Sequence, residues 1–134
     1  MIVVDTNVIA YLTLPGPRHE SARAALRCDP LWVAPLLWRS EMRNVLICHV
    51  RAGHFDLDRA HRFMSFAEGV LRGREYTVAS TEVLHLARRS GCSAYDCEFV
   101  TLALRLGLPL LTCDKKILTA FPRETTSLTD FALA

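Results

Sequence analysis

The chain has 134 residues, of which 51% are hydrophobic and 22% are charged, a composition that predicts one globular domain over residues 1–134. Its formal net charge is only +2, so the overall charge does not by itself require a nucleic-acid partner. The five cysteines are an odd number without CxxC spacing, which favours reduced thiols in the cytoplasm. We expect no signal peptide, and no apolar run reaches the roughly 20 residues of a membrane span.

The first half of the chain predicts two strands and three helices. The stretch "IVV" (2–4) is typical of a short buried strand, and a Pro/Gly break precedes a helix that ends near Cys28. A second strand, "LWVA" (31–34), leads into a helix that we expect to begin at Pro35 and to end at Gly53. Asp56 is then placed to cap a helix over residues 57–71.

The second half continues this alternation of strands and helices. "YTVA" (76–79) predicts a third strand, and Ser80 and Ser93 are expected to cap helices that end at Gly91 and Gly107. "LPLLTC" predicts a fourth strand, "KKILTAF" a short helix and "TTSL" a weak last strand. Short apolar strands between helices are typical of a parallel sheet that is covered on both faces. The predicted fold class is therefore α/β, a single-domain three-layer α/β/α sandwich with a central, mostly parallel sheet.

Two aspartates follow predicted strands of this sheet. Asp5 comes directly after the first strand, and Asp114 directly after the fourth. Ligand sites of open parallel sheets lie at the carboxyl ends of the strands, so we expect both side chains at the same edge. Each aspartate has a purely structural alternative, because Asp is also favoured in turns and as a helix N-cap.

Two further acids are expected near the same edge. At about 100° per residue, Glu41 lies in the middle of an apolar arc of its helix, where a carboxylate is costly without a partner such as an arginine or a cation. Asp96 stands three residues after Ser93, a spacing that resembles a capping box. Four clustered carboxylates would repel one another, and a bound Mg²⁺ or Mn²⁺ would remove that penalty.

With these motifs the sequence resembles the PIN-domain ribonucleases, and most of all the VapC toxins of type II toxin–antitoxin pairs. "VVDTNVIAYL" resembles the opening strand of that family with its Asp-Thr-Asn motif, and "WRSEMRNVL" resembles its helical Glu segment. "SAYDCEFVTLALRLGLPLLTCDKKI" resembles the family's paired Asp segments. The four motifs occur in the family's order and cover nearly the whole chain.

The resemblance implies a metal-dependent endoribonuclease that hydrolyses RNA and leaves a 5′-phosphate and a 3′-hydroxyl. It implies that Mg²⁺ or Mn²⁺ is held by four acids and that two polar residues support these acids by hydrogen bonding. By position the acids are Asp5, Glu41, Asp96 and Asp114, and the supporting residues are Asn7 and Thr112. Some PIN nucleases carry a further acid just after the fourth, where this chain has lysines and an isoleucine, so the number of metal ions stays open.

The resemblance also implies partners: an RNA substrate, a cognate antitoxin protein and a second copy of the chain in a homodimer. Lys115 and Lys116 flank Asp114 and are candidates for contacts with RNA phosphates, although a solvated turn explains them as well. Apolar residues in the helices over 36–52 and 57–71 exceed what one small core needs, so they predict a homodimer seam or an antitoxin groove. No membrane partner is expected.

The main alternative to an active nuclease is an inactive PIN-like scaffold that binds RNA or a partner protein. A different enzyme class on a similar sheet is less favoured. A phosphoaspartyl phosphatase would need an acid two residues after Asp5, where Asn7 stands, and the chain contains no phosphate-binding glycine motif.

Overall fold

The computed structural model describes residues 1–133, which form five strands and eight helices. The strands are β1 (Ile2–Val4), β2 (Trp32–Pro35), β3 (Glu75–Tyr76), β4 (Leu110–Leu111) and β5 (Thr125–Thr126). The helices are α1 (Thr6–Thr13), α2 (His19–Cys28), α3 (Leu37–Arg51), α4 (Leu57–Leu71), α5 (Ser80–Ser90), α6 (Ala94–Leu106), α7 (Lys115–Ala120) and α8 (Leu128–Leu133). Across this described range, none of the helices combines the length and the apolar character needed to cross a membrane.

The strands form one parallel sheet in the order β3-β2-β1-β4-β5. At its centre, Val3 of β1 pairs with Val33 on one side and with Leu110 on the other. The chain therefore winds outward in both directions from β1, and the carboxyl ends of β1 and β4 form a topological switch point, where ligand sites occur in such sheets. The predicted α/β class and parallel sheet are confirmed.

Helices cover the sheet and bury its strands. α6 packs against β1, β2 and β4, while α3 and α4 pack against β2. All residues of β1, β2 and β4 are buried, as expected for strands that have helices on both sides. The largest buried side chains, Trp32 of β2 and Trp38 of α3, are completely enclosed and join this layer to the sheet.

The start of α3 differs from the prediction. Pro35 is the last residue of β2, and the helix begins two residues later, at Leu37. The backbone N–H groups of Ala34 and Leu36 donate to carbonyls of Arg74 and Tyr76, so on this side the ladder continues past the proline without its missing donor. Pro35 therefore extends β2 as its last residue and is not the first residue of the helix.

The predictions for the remaining elements differ mainly at their ends. Asp56 and Ser93 cap α4 and α6 as expected, but Ser80 is the first residue of α5, whose N-cap is Ala79. The third strand covers only Glu75–Tyr76, because residues 77–79 make no ladder. No element was predicted for α1 or α8.

A charged network anchors α3, the helix that carries Glu41. Arg39 of α3 donates to both carboxylate oxygens of Glu75 on β3, with 2.8 Å from Nη2 to Oε1, and also to Glu68 of α4. Trp38 Nε1 donates to the same Glu75 over 2.8 Å. These hydrogen bonds lower the pKa of Glu75, with Arg39 as the main cause. The fork of the guanidinium group thus ties α3 to the edge of the sheet.

We expect Arg39→Met to lower the free energy of unfolding by about 2 kcal/mol, because it leaves a half-buried carboxylate without its bidentate partner. The matched control is Arg105→Met. Arg105 pairs with Glu82 at 3.4 Å on an exposed surface, so this change should cost less than about 0.5 kcal/mol. Urea unfolding of both variants measures the difference. Equal losses would mean that the network on α3 is no stronger than an ordinary surface ion pair.

Candidate metal centre

The four predicted acids line one cleft of about 430 Å³ at the switch point of the sheet. Asp5 follows β1, Asp114 follows β4, Glu41 lies on α3 and Asp96 lies in the first turn of α6. The remaining lining residues are Thr6, Asn7, Leu37, Ser40, Asn44, Val45 and Tyr95. The structure therefore brings together carboxylates from four separate elements that span most of the chain.

Asp5 is the most buried of the four acids, with only 7% of its surface exposed. It occupies the N-cap position of α1, yet its side chain makes no capping hydrogen bond. Instead, Oδ2 accepts a hydrogen bond of 2.7 Å from Oγ1 of Thr112. The pKa of Asp5 is raised to about 6, with burial as the largest cause; the hydrogen bond from Thr112 lowers it, and the charges of Glu41 and Asp96 contribute to the rise. The capping alternative is therefore not what holds this side chain.

Thr112 and Asp114 form a short chain of hydrogen bonds at the end of β4. The Thr112 hydroxyl, which donates to Asp5, also accepts from the backbone N–H of Asp114 at 3.1 Å. Oδ1 of Asp114 in turn accepts from the N–H groups of Lys116 and Ile117, at 2.8 and 3.2 Å, and caps α7. Asp114 is thus a helix cap and a lining residue of the cleft at the same time, and the cap fixes its orientation.

Glu41 has a hydroxyl partner where an arginine was one of the alternatives. Its Oε1 accepts a hydrogen bond of 2.7 Å from Oγ1 of Thr6, the residue directly after Asp5. Burial raises the pKa of Glu41, and the charge of Asp96 adds to this effect. Leu37 and Val45 of the same helix line the cleft beside Glu41.

Asp96 enters the cleft from the start of α6. Oγ of Ser93 accepts from the backbone N–H of Asp96 at 3.0 Å, as the predicted cap requires. Burial raises the pKa of the half-exposed Asp96 carboxyl, and the charge of Asp114 adds to it, while hydrogen bonding to Ser93 and the charge of Lys116 oppose it. Each of the four acids therefore lies close enough to another for their charges to interact.

The supporting residues only partly match the expectation. Thr112 holds Asp5, but Asn7 lines the cleft without a side-chain hydrogen bond to any of the four acids in the part of the chain that the structure describes. Sequence reasoning missed Thr6, whose position inside the "DTN" motif was the available signal. Glu98 lies outside the lining of the cleft, although the charge of Glu41, after burial, raises the pKa of this half-buried carboxyl.

The chemistry of the cleft fits a hard divalent cation. Its lining contains carboxylate, hydroxyl and amide oxygens, and within residues 1–133 it contains no histidine or cysteine. None of the four acids makes an ion pair with lysine, arginine or histidine over the same range. Nowhere in residues 1–133 do three potential ligand side chains converge as closely as a bound metal would hold them. The donors suit Mg²⁺ or Mn²⁺, and its binding would draw these carboxylates together.

Comparisons with known proteins place this geometry in a family context. The family model described as "PIN domain" matches residues 2–122. Ribonuclease VapC3 of Pyrobaculum aerophilum is 32% identical to this chain over an alignment of 130 residues, with coverage of 93% of this chain and 98% of that protein.

Two solved structures show the same fold. The crystal structure of PAE2754 from Pyrobaculum aerophilum superposes with a TM-score of 0.79 at 20% identity, over 98% of this chain and 86% of that one. A toxin–antitoxin complex from Klebsiella pneumoniae gives a TM-score of 0.72 at 17% identity, over 96% of this chain and 98% of that one. At these identities the likeness concerns the fold alone.

We expect Asp5→Asn to flatten the pH dependence of stability in the metal-free protein. The pKa of Asp5 is raised from 3.8 to about 6, mainly by burial. The contribution of Asp5 to the free energy of unfolding is therefore fully present below about pH 4 and is lost as the pH rises through 6. The contribution amounts to about 3 kcal/mol over the whole window, of which about 1.4 kcal/mol is lost between about pH 5 and about pH 7.5.

Urea unfolding in the presence of EDTA at those two pH values measures this difference between wild type and variant. Asp58→Asn, at an exposed position on α4, is the matched control and should retain the wild-type pH dependence. If Asp5→Asn showed the same pH dependence of the unfolding free energy as the wild type, the buried carboxyl of Asp5 would not be its source.

Proposed function

This chain belongs to the PIN domain family, and we propose that it is a Mg²⁺- or Mn²⁺-dependent endoribonuclease and the toxin of a toxin–antitoxin pair. Residues 1–134 then form one nuclease domain that acts in the cytoplasm. The relative named ribonuclease VapC3 and the fold shared with a toxin–antitoxin complex support this proposal. The observation that carries it is the convergence of four carboxylates, from four separate elements, on one cleft.

In this proposal Asp5, Glu41, Asp96 and Asp114 hold the metal ion. When bound, Mg²⁺ or Mn²⁺ would promote ionisation of the attacking water and stabilise the negative charge that develops on the phosphate. The fold lines the cleft with the four carboxylates. Thr112 supports the carboxylate of Asp5 by donating its hydrogen to it, since a carboxylate that accepts such a bond is stabilised in its charged form.

The reaction is hydrolysis of a phosphodiester. The oxygen of water bonds to phosphorus, the bond from phosphorus to the 3′-oxygen breaks, and the products carry a 5′-phosphate and a 3′-hydroxyl. The four acids line an open cleft, so a phosphate of a long RNA strand can reach them without the strand being enclosed. Lys115 and Lys116 are exposed next to Asp114 and can contact neighbouring phosphates.

The walls of the cleft suit an unpaired strand. Tyr95 precedes Asp96, lines the cleft and exposes 64% of its surface, which leaves its ring open to a base. Asn7, Ser40 and Asn44 add exposed hydrogen-bonding groups from α1 and α3. Single-stranded RNA is commonly bound by stacking of bases on aromatic rings, combined with hydrogen bonds to base edges.

The proposed protein partners are a cognate antitoxin and a second copy of the chain. Leu57 and Phe66 of α4 each expose about half of their surface, as does Leu36 just before α3. These apolar side chains lie on α4 and at the start of α3, the segments in which the sequence carries more apolar residues than one core needs. Burial of such surface is what a homodimer or a bound antitoxin segment would provide.

We expect Mn²⁺ to raise the melting temperature of the wild-type protein, because a ligand that binds only the folded state stabilises it. At a concentration about 100 times its Kd, the gain is about 2.7 kcal/mol, or about 5–10 °C for a domain of this size. With Mn²⁺ the protein should also cleave bulk tRNA and ribosomal RNA. Asp5→Asn and Asp96→Asn should lose both responses.

Asp58→Asn is again the matched control and should behave like the wild type in both assays. An equal rise in melting temperature for wild type and Asp5→Asn would show that Mn²⁺ binds elsewhere. RNA binding without cleavage, and without any need for metal, would favour the inactive scaffold.

We expect Tyr95→Ala to raise the KM for RNA cleavage about 10-fold, because loss of one stacked base costs about 1–3 kcal/mol. Tyr95→Phe keeps the ring and should stay close to the wild-type KM. The Mn²⁺-induced rise in melting temperature should be the same for all three proteins, since Tyr95 donates no carboxylate. If Tyr95→Ala left KM unchanged, or if Tyr95→Phe raised it as much, stacking would not be the role of this ring.

A further inference from the structure

Thr6 occupies a special place between two of the cleft acids. It directly follows Asp5 along the chain, only 4% of its surface is exposed, and its hydroxyl donates to Oε1 of Glu41 over 2.7 Å. One residue thus links the acid at the end of β1 to the acid on α3, although Thr6 and Glu41 lie 35 positions apart in the sequence.

This link matters because repulsion from the neighbouring carboxylates favours rotation of the Glu41 side chain away from the cleft. Asp5, Glu41 and Asp96 line the same cleft, and none of them makes a salt bridge within residues 1–133. A glutamate side chain has three rotatable bonds, so on an exposed helix face it would turn away from like charges toward water. The bond from Thr6 is a charge-assisted hydrogen bond in a partly buried position, which opposes that rotation.

Thr6 is well suited to this task by its own position. It is the first residue of α1, and its backbone is fixed by β1 on one side and by the helix on the other. β-branched side chains have few χ1 rotamers, so the hydroxyl is directed before any ligand arrives. Hydrogen bonds to a metal-binding group from such supporting residues commonly change metal affinity about 10- to 100-fold.

We propose that Thr6 is a positioning residue that holds the carboxylate of Glu41 in the cleft, ready to bind the divalent cation. This inference rests on the proposed function, because it assumes that the cleft binds Mn²⁺ or Mg²⁺. Thr6 itself binds neither metal nor substrate. The competing explanation is that the bond only fastens α1 to α3, in which case it contributes to folding and not to metal binding.

The test is isothermal titration calorimetry with Mn²⁺ on the purified full chain. Thr6→Val replaces the hydroxyl by a methyl group of similar size and should weaken Mn²⁺ binding about 10- to 100-fold. Thr6→Ser keeps the hydroxyl and should bind Mn²⁺ nearly as tightly as the wild type.

A matched control lies at the other end of the same helix. Thr13 is also buried, and its hydroxyl donates over 2.7 Å to the carbonyl of Ile9, away from the cleft. Thr13→Val therefore removes a buried hydroxyl from α1 without touching an acid, and its Mn²⁺ affinity should equal that of the wild type. Urea unfolding without metal reports the structural cost of both valine variants.

A double-mutant cycle with Glu41→Ala identifies the partner. If Thr6 acts through Glu41, Thr6→Val should cause no further loss of Mn²⁺ affinity once Glu41 has been removed. A full further loss in that background would overturn the inference, because Thr6 would then act on another group.

The outcomes also separate this inference from the proposed function. If wild type binds Mn²⁺, Asp5→Asn does not, and Thr6→Val binds as tightly as wild type, only the role of Thr6 is overturned, and the bond serves folding alone. If wild type shows no heat of binding at millimolar Mn²⁺, or if Asp5→Asn binds equally well, the metal site itself is overturned and the role of Thr6 falls with it.

Discussion

The hydrogen bond from Thr112 to Asp5 joins the ends of two neighbouring strands whose residues lie 107 positions apart in the sequence. Parallel strands carry their following residues to the same edge, so the order of the sheet brings these two side chains together. A carboxylate that is almost fully buried is unfavourable unless it has a hydrogen-bond partner, and the hydroxyl of Thr112 is that partner. The rest of the cleft is arranged around this buried negative charge.

Each of the other acids is held by a different local device. Asp114 caps α7, and Asp96 lies in the first turn of α6, which Ser93 caps. Glu41 lies on α3, which Arg39 anchors to the edge strand β3. None of these devices supplies a positive charge to the cleft. The fold therefore concentrates negative charge at one edge of the sheet, while the hydrogen-bond network of Arg39 lies elsewhere. This arrangement lowers local stability, as is common at functional sites.

Local patterns and one topological rule were enough to predict much of this arrangement. The apolar run of β1, the caps at Asp56 and Ser93 and the terminal glycines are local signals, and they placed most elements correctly. The rule that ligand sites occupy strand ends then placed Asp5 and Asp114 together, and the helical period placed Glu41 toward them. No pattern indicated α1, because its residues are rich in β-branched types and it is helical through packing against α2 and α3. The role of Thr6 was hidden for the same reason: its partner is defined only once α1 and α3 have packed.

The strain of the metal-free cleft and the affinity of the proposed site have one physical origin. Burial, together with the charges of Glu41 and Asp96, raises the pKa of Asp5 to about 6, so near that pH a proton and a divalent cation compete for this carboxylate. A cation that binds relieves both the burial and the repulsion, and its affinity includes the free energy thus released. The hydroxyls of Thr6 and Thr112 cannot relieve that charge, because they are neutral. They direct the carboxylates that carry it, which is the contribution the protein must make before a cation can bind.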